Sequence, residues 1–93
     1  MTSPGVYILQ SLRNGRYYTG STDDMDRRFV QHDSGKVLAT QGIRPLEVRV
    51  FIPCQDLVEA RKFEYRLKRY KSRVVLEKVI RDRKFPWVHL ERP

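Results

Sequence analysis

Residues 5–20 read GVYILQSLRNGRYYTG, in which two apolar and aromatic runs flank a turn signal. The run over residues 6–9 has the composition of a strand, and we expect it at the centre of a sheet. Asn14-Gly15 is typical of a two-residue type I′ hairpin turn, because both central residues of that turn need a positive φ angle. Residues 16–20 then form the return strand, so this stretch predicts an antiparallel hairpin.

The pairing of the two strands decides which tyrosine side chains share a face of the sheet. Directly opposed residues lie on the same face, and successive residues along a strand alternate between faces. With any even-numbered hairpin loop, Tyr7 and Tyr18 lie on one face and Tyr17 lies on the other. A strict two-residue loop would leave Tyr7 and Tyr18 roughly 13 Å apart along the strands, whereas a longer loop would bring them opposite each other.

A helix is predicted over residues 24–34, after a run of helix-capping residues. At about 100° per residue, Met25 and Phe29 form its apolar stripe. Arg28 and His32 lie one turn apart along one border of that stripe, so we expect Arg28 to be held next to the sheet. The alternatives are an ordinary surface arginine and a hydrogen-bonded boundary histidine.

A loop over residues 36–45 follows, and its Lys36 and Arg44 are candidates for contact with a phosphate backbone. Apolar and polar residues then alternate over residues 46–52, which predicts a half-buried third strand. The apolar positions of this strand are Leu46, Val48, Val50 and Ile52.

The next helix, predicted over residues 56–70, carries Glu64 on the edge of its buried stripe. That stripe is expected to comprise Ala60, Phe63, Leu67 and Tyr70. At the edge, the Glu64 carboxylate can enter a cleft beside the tyrosine face of the hairpin, which we also expect Arg28 to meet. The alternative is an ion pair with Lys68 one turn away, which would stabilise the helix by about 0.3–0.5 kcal/mol.

A last helix is predicted over residues 73–82, and we expect Phe85-Pro86-Trp87 to dock on the domain and enlarge its core. The alternative for this aromatic segment is stacking on a nucleobase. Together the elements predict an α/β (α+β) fold, in which a small, three-stranded, mainly antiparallel sheet is flanked by helices.

The formal net charge of +8 on 93 residues points to a polyanionic partner, and nucleic acid is the usual one. The basic residues that we predict to contact nucleic acid are Lys36, Arg44, Arg61, Lys68 and Lys71. The alternative is that the charge serves solubility alone. A membrane-surface role is disfavoured, because the basic segments also carry core-type apolar residues.

Composition and length also indicate which kinds of site, compartment and domain organisation to expect. The single cysteine, Cys54, excludes an internal disulfide and a cysteine-rich metal site. The sequence has no apolar run near the roughly 18 residues of a membrane span, and no signal peptide is apparent. We therefore expect a cytoplasmic protein with one domain over residues 1–93, comprising a core over about 5–80 and a C-terminal extension over 81–93.

The hairpin also carries a family resemblance. Gly5-Val6-Tyr7 and Tyr18-Thr19-Gly20 resemble the paired motifs of the GIY-YIG nuclease superfamily, with Val6 and Thr19 where isoleucines give the name. The spacing from Tyr18 to Arg28 and His32 is similar to that of the superfamily, and Ala60, Glu64 and Lys68 resemble its metal-binding helix. The resemblance covers about residues 5–80 and looks closest to the stand-alone, single-domain bacterial members.

This resemblance implies a metal-dependent endonuclease that hydrolyses DNA phosphodiester bonds. The implied catalytic residues are Tyr7, Tyr18, Arg28, His32 and Glu64. Glu64 would bind Mg²⁺ or Mn²⁺, which prefer carboxylate oxygen, and the planar fork of Arg28 suits a phosphate. The sequence leaves open which of Tyr7, Tyr18 and His32 accepts the proton of the attacking water.

Two other functions remain open at this stage. One is a nucleic-acid-binding module that keeps the nuclease fold but does not cut, and the other is a basic interaction protein with no nucleic-acid role. Many superfamily members carry a late asparagine in the site, whereas the only asparagine here is Asn14, in the predicted turn.

Overall fold

The computed structural model describes residues 3–88, and the ends of the predicted domain, residues 1–2 and 89–93, lie outside the described residues. The elements in chain order are β1 (Gly5–Ser11), β2 (Tyr17–Thr22), α1 (Met25–Asp33), a short 3₁₀ turn (Gln41–Ile43), β3 (Leu46–Pro53), α2 (Leu57–Lys68) and α3 (Arg73–Asp82). The strands form one antiparallel sheet in the order β2-β1-β3. The predicted α+β fold with a central first strand is confirmed.

The hairpin loop has four residues, 12–15, because the Ser11 N–H donates to the Arg16 carbonyl at 2.8 Å. The predicted type I′ turn is wrong, since Gly15 has a positive φ of 78° and Asn14 does not. The Asn14 side chain instead accepts a hydrogen bond from the Arg16 N–H at 2.9 Å. The loop nevertheless has an even number of residues, which places Tyr7 and Tyr18 on one face of the sheet.

The sheet is covered on both faces. On the face that we call the α2 face, Val6 and Ile8 of β1 pack with side chains of α2 and α3. On the opposite face, which we call the α1 face, Tyr7 and Leu9 pack with Met25 and other side chains around α1. Burial on both faces explains why residues 6–9 are apolar or aromatic without a polar interruption.

The strand β3 does not keep its apolar residues on one face, as the alternating pattern had predicted. The pairing shifts between Ile8, which lies opposite Val50, and Leu9, which lies opposite Val48. Because of this bulge, side chains before it and after it that the alternation would place on one face lie on opposite faces. Val50 packs on the α2 face and Leu46 packs on the α1 face.

The helix α2 begins after Asp56, whose side chain accepts a hydrogen bond from the Glu59 N–H at 2.8 Å. Ala60 and Leu67 are fully buried, as the helical pattern predicts. The prediction is wrong for Tyr70, because the helix ends at Lys68 and the Tyr70 ring is 42% exposed.

The segment after α3 docks against the α2 face, as predicted. Phe85 and Trp87 are buried, and their rings stack with centroids 4.8 Å apart. Trp87 is only 1% exposed, so it belongs to the core and is not available to a nucleobase. Within residues 3–88, none of the helices has both the length and the apolar composition that a membrane crossing needs.

Candidate active site

Tyr7 reaches its position because Gly20 lies directly opposite it on β2. A Cβ atom at Gly20 would lie 2.4 Å from both Cζ and the hydroxyl oxygen of Tyr7, which is too close for any side chain. The missing side chain therefore lets the Tyr7 ring lie across β2. At Gly5, a Cβ atom would meet the Ile52 carbonyl oxygen at 2.5 Å, so the other motif glycine also serves close packing.

The Tyr7 hydroxyl is the centre of a buried hydrogen-bond chain. Arg28 Nε donates to it at 3.3 Å, and His32 Nε2 lies 2.8 Å from it. On the other side of the imidazole, Nδ1 lies 2.7 Å from Thr40 Oγ1. Tyr7, His32 and Thr40 each have no exposed surface.

One arrangement of protons satisfies every donor in this chain. Thr40 Oγ1 donates to the Val37 carbonyl at 3.5 Å, so it accepts from His32 Nδ1–H. His32 Nε2 then carries a lone pair and accepts from the Tyr7 hydroxyl, while Tyr7 accepts from Arg28. Thr40 thus fixes the tautomer of His32, and His32 fixes the direction of the Tyr7 hydroxyl.

Burial sets the protonation of both ring systems. Burial, followed by the nearby Arg28 charge, lowers the pKa of His32 to about 4, so the imidazole is neutral near pH 7. Burial also raises the pKa of the Tyr7 phenol, and the hydrogen bond and charge of Arg28 oppose this rise only in part. Tyr7 is therefore a neutral phenol, and it does not pass its proton to His32 in the resting protein.

Tyr18 shares the α1 face with Tyr7, and the predicted orientation of the tyrosines is confirmed. Its ring centroid lies 6.5 Å from that of Tyr7 and 5.2 Å from that of His32. Tyr17 packs with the core on the α2 face, and its hydroxyl donates to Glu77 at 3.5 Å. Tyr18 is half-buried, and it borders an open cavity of about 250 Å³ that lies mainly on the α2 face, where Tyr17, Leu67 and Lys68 also line it.

Glu64 approaches this group from the other side of the sheet. It lies on α2, and its Oε1 accepts a hydrogen bond from the Ser21 hydroxyl at 2.5 Å. Ser21 is opposite Val6 and therefore belongs to the α2 face. The helix that carries Glu64 thus packs on the face opposite the tyrosines, and Glu64 approaches them at the edge strand β2, where its charge acts on the Tyr7 phenol.

Lys68 connects the two parts of the candidate site. Its Nζ donates to Glu64 Oε2 at 2.5 Å, so the predicted helix ion pair is present. The same ammonium lies 5.7 Å from the centroid of the Tyr18 ring, across the edge of β2. Tyr7, Arg28 and His32 are therefore in direct contact, Tyr18 is in ring contact with Tyr7 and His32, and Glu64 is linked to Tyr18 through Lys68.

The donor set fits a hard divalent cation held by one protein ligand. The Glu64 side chain is 20% exposed, so part of it reaches solvent. Within residues 3–88, no three His, Cys, Asp or Glu side chains come together as a metal-binding group. Mg²⁺ suits such a site, because it commonly takes one or two carboxylates and completes its coordination with water and phosphate oxygens.

The other predicted contacts for nucleic acid spread over the surface. Lys36, Arg61 and Lys71 are exposed, and Lys71 lines the cavity beside Tyr18. Arg44 is exposed too, but its guanidinium donates at 3.2 Å to the carbonyl of Asp33 at the end of α1. Arg61 therefore lies on α2 one turn before Glu64 and Lys71 lies in the turn after α2, whereas Lys36 and Arg44 lie in the loop after α1.

Sequence reasoning missed Ser21 and Thr40, which hold Glu64 and His32 in place. Ser21 directly follows the Tyr18-Thr19-Gly20 motif, so a hydroxyl at the end of the motif strand was a usable signal. Thr40 sits in an irregular loop, and nothing in its neighbourhood along the chain indicates that it contacts a histidine eight residues earlier.

Comparison with known proteins identifies the fold family. The family model described as the GIY-YIG catalytic domain matches residues 3–78. The chain belongs to the GIY-YIG family. This family is a nuclease superfamily, and GIY-YIG nucleases generally use divalent metal ions.

The relatives with the same domain are small stand-alone GIY-YIG proteins, as the motifs indicated. The chain is 38% identical over 82 residues to the UPF0213 protein YhbQ of Escherichia coli (strain 55989 / EAEC), and the match covers 83% of this chain and 81% of that protein. The UPF0213 protein YhbQ of Shigella boydii serotype 18 matches with the same identity and coverage. No solved structure matches the chain.

Proposed function

We propose that this GIY-YIG protein is a metal-dependent endonuclease that hydrolyses phosphodiester bonds of DNA in the cytoplasm. The observation that carries the proposal is the set of groups around the Tyr7 phenol. Arg28 donates a hydrogen bond to it, the Tyr18 ring lies 6.5 Å from its ring, and the Glu64 carboxylate is close enough for its charge to act on it. Phosphodiester hydrolysis needs charge stabilisation at phosphorus, an oriented water and help for the leaving oxygen.

Arg28 is the group that binds the scissile phosphate. Its Nε donates to Tyr7 and its Nη1 donates to Gln31 Oε1 at 2.9 Å, so its plane is fixed before a substrate arrives. A planar guanidinium matches two oxygens of a phosphate, and a donor that needs no reorganisation stabilises developing charge most effectively. His32 acts through Tyr7 and Arg28, which makes His32 a positioning residue.

Tyr18 is better situated than Tyr7 to contact the attacking water. Tyr7 has no exposed surface, and Arg28 and His32 already occupy its hydroxyl. Tyr18 is half-buried on the same face, so part of its side chain reaches solvent. We therefore assign the water to Tyr18 and the orientation of Arg28 to Tyr7.

Glu64 is the residue that would hold Mg²⁺ or Mn²⁺. The ion, when bound, would supply positive charge to the phosphate and to the leaving oxygen. Lys68 neutralises the Glu64 carboxylate in its absence, and an exposed i,i+4 pair of this kind contributes only about 0.3–0.5 kcal/mol. The ammonium can therefore leave the carboxylate at little cost in stability.

The experiment that tests the proposal is nicking of supercoiled plasmid by the purified protein, with Mg²⁺ or with a chelator. We expect nicked and then linear DNA with Mg²⁺ and intact plasmid with the chelator. A panel of duplex, branched and single-stranded DNA in the same assay identifies the preferred form. Intact DNA of every form at saturating Mg²⁺ or Mn²⁺ would contradict the proposal.

The alternative function is a nucleic-acid-binding module that does not cut. It is favoured by one observation, which is that both Glu64 oxygens are already engaged, by Ser21 and by Lys68. Retention of DNA without nicking would support it. In both cases the logarithm of the DNA affinity should fall with the logarithm of the salt concentration, with a slope near −0.9 per phosphate neutralised.

A further inference from the structure

We infer that the outer side of α2 and the turn directly after it carry a second nucleic-acid site, a platform on which unpaired bases of a single strand stack. Four residues line it, namely Tyr65, Arg66, Arg69 and Tyr70, and we call them the tyrosine–arginine platform. The inference deepens the proposed function and rests on it, because the platform would bind a strand of the DNA that the candidate active site cleaves.

The platform is an open cavity of about 410 Å³ with two exposed aromatic rings. Tyr65 is 65% exposed and Tyr70 is 42% exposed, so both rings present a large part of their surface to solvent. They are the only large aromatic side chains among the exposed hydrophobic residues of the described part of the chain. Both rings border a single cavity, and their exposure therefore indicates a binding surface.

A stack of buried aromatic rings holds the platform rigid. The Tyr70 ring lies nearly parallel to Trp87, at 13° and with centroids 6.4 Å apart. Trp87 in turn stacks on Phe85 at 5°, and the Arg66 guanidinium lies 4.3 Å from the Trp87 ring centroid. Because Tyr70 and Arg66 are held by the core, a ligand does not have to order them, which lowers the entropic cost of binding.

The chemistry of the platform selects a nucleic acid rather than an apolar partner. Two arginines lie between the two tyrosines along the chain, and the Arg69 guanidinium lies 5.7 Å from the Tyr65 ring centroid. Tyrosine faces and guanidinium planes both stack on bases of any sequence, while the guanidinium charge binds the adjacent phosphates. A purely apolar partner would have to desolvate the Arg69 guanidinium without supplying a counter-charge.

The platform is continuous with the candidate active site along the surface of α2. Measured round the helix from Glu64 at 100° per residue, the outward positions fall at about 40° (Lys68), 60° (Arg61), 100° (Tyr65) and 140° (Arg69). Basic and aromatic side chains thus follow each other from the candidate metal ligand to the platform. A single strand that leaves the cleavage site can therefore cross the helix and place a base on Tyr65, which shares its cavity with Tyr70.

The test compares two fluorescent twelve-residue oligomers, oligothymidylate and an abasic oligomer with the same phosphates, in fluorescence anisotropy with a chelator that prevents cleavage. Tyr65→Ala should weaken binding of oligothymidylate about tenfold or more, which is the scale of one lost base stack. Binding of the abasic oligomer should stay within about twofold of wild type, because it presents no base. Tyr65→Phe keeps the ring and should restore the preference for oligothymidylate.

Val74→Ala is the matched control, because Val74 is 64% exposed on α3, outside the platform. Arg69→Ala should weaken both oligomers, since it removes a phosphate contact as well as a stacking surface. Equal binding of oligothymidylate by wild type and Tyr65→Ala would overturn the inference. That result is distinct from failure of the proposed function, in which the wild-type protein does not nick DNA although the platform binds the oligomer.

Discussion

The α2 face of the sheet is packed with apolar side chains, whereas the α1 face buries a chain of hydrogen-bonded polar groups. On the α2 face, Ile8, Leu67 and Trp87 belong to a core cluster of apolar side chains. On the α1 face, Tyr7 and His32 are equally buried, but their polar atoms are paired. The α2 face thus supplies most of the apolar packing that stabilises the fold, and the α1 face fixes the geometry of Arg28.

The polar face can be buried only because its pairing is complete. An unpaired buried polar group costs roughly 1–3 kcal/mol, so a half-satisfied network would be worse than an apolar core. Within residues 3–88, every buried side-chain nitrogen or oxygen has a hydrogen-bond partner. Substitutions on the two faces should therefore have different signatures, and the following predictions use that difference.

The largest loss of stability is expected from a substitution on the α2 face. Trp87→Ala removes a ring that contacts Phe63 and Phe85, and should lower the free energy of unfolding by about 3–5 kcal/mol. Urea denaturation measures it. Val74→Ala, at an exposed position, should change stability by about 0.5 kcal/mol or less. A loss below about 1 kcal/mol for Trp87→Ala would show that the C-terminal segment does not carry the core.

The next largest effect is a pH dependence of the free energy of unfolding, which we expect from His32 on the α1 face. His32 has a pKa of about 4 in the folded protein, below its ordinary value of about 6.5, so the unfolded chain binds more protons between these values. Stability should therefore be fully present above pH 6.5 and fall by roughly 3 kcal/mol as the pH drops to 4. Urea denaturation across this range should give a flatter profile for His32→Gln. Parallel profiles for the two proteins would contradict the buried, neutral histidine.

A smaller effect tests how β2 makes room for the polar face. Gly20→Ala places a methyl group against the Tyr7 ring and should cost about 1–3 kcal/mol, the usual range for overpacking. Gly42→Ala is the matched control, because a Cβ atom there meets nothing within 4 Å. Thermal unfolding of the two variants compares them. Equal stability would mean that Tyr7 does not need the space over Gly20.

The smallest effect concerns the end of the hydrogen-bond chain. Thr40→Val removes the acceptor of His32 Nδ1–H and should cost about 1–2 kcal/mol. It should also change the imidazole ¹⁵N chemical shifts, because the tautomer is no longer fixed. Thr40→Ser keeps the hydroxyl and should keep the shifts of the wild type. Unchanged shifts in Thr40→Val would remove Thr40 from the positioning of His32.

The sequence predicted the parts of the fold that depend on local patterns. The apolar run of β1 and the helical spacing over residues 73–82 follow from side-chain periodicity, and α3 has those bounds in the structure. The placement of Tyr7 and Tyr18 on one face follows from any even-numbered hairpin loop. The type of the turn could not be predicted in the same way. The two motif glycines follow from the family pattern, and the structure adds the contacts that exclude a side chain.

The remainder depends on contacts between distant residues. The bulge in β3 reverses the faces of Val50 and Leu46, and an alternating sequence carries no sign of the extra residue. The place of Glu64 at the β2 edge depends on which face α2 covers, which helical periodicity alone does not fix. Thr40 reaches His32 through a loop whose course local propensity does not determine.

The most direct test of the central claim compares Glu64→Gln with Glu77→Gln in the plasmid-nicking assay with Mg²⁺. Both glutamates form an i,i+4 ion pair on a helix, Glu64 with Lys68 and Glu77 with Arg73, but only Glu64 lies at the candidate active site. If Glu64 holds the metal ion, Glu64→Gln should slow nicking by about 10²-fold or more, with DNA binding and stability nearly unchanged. Glu77→Gln should cut at the wild-type rate. Nicking by Glu64→Gln at that same rate would contradict the claim that this edge of the sheet is a metal-dependent nuclease site.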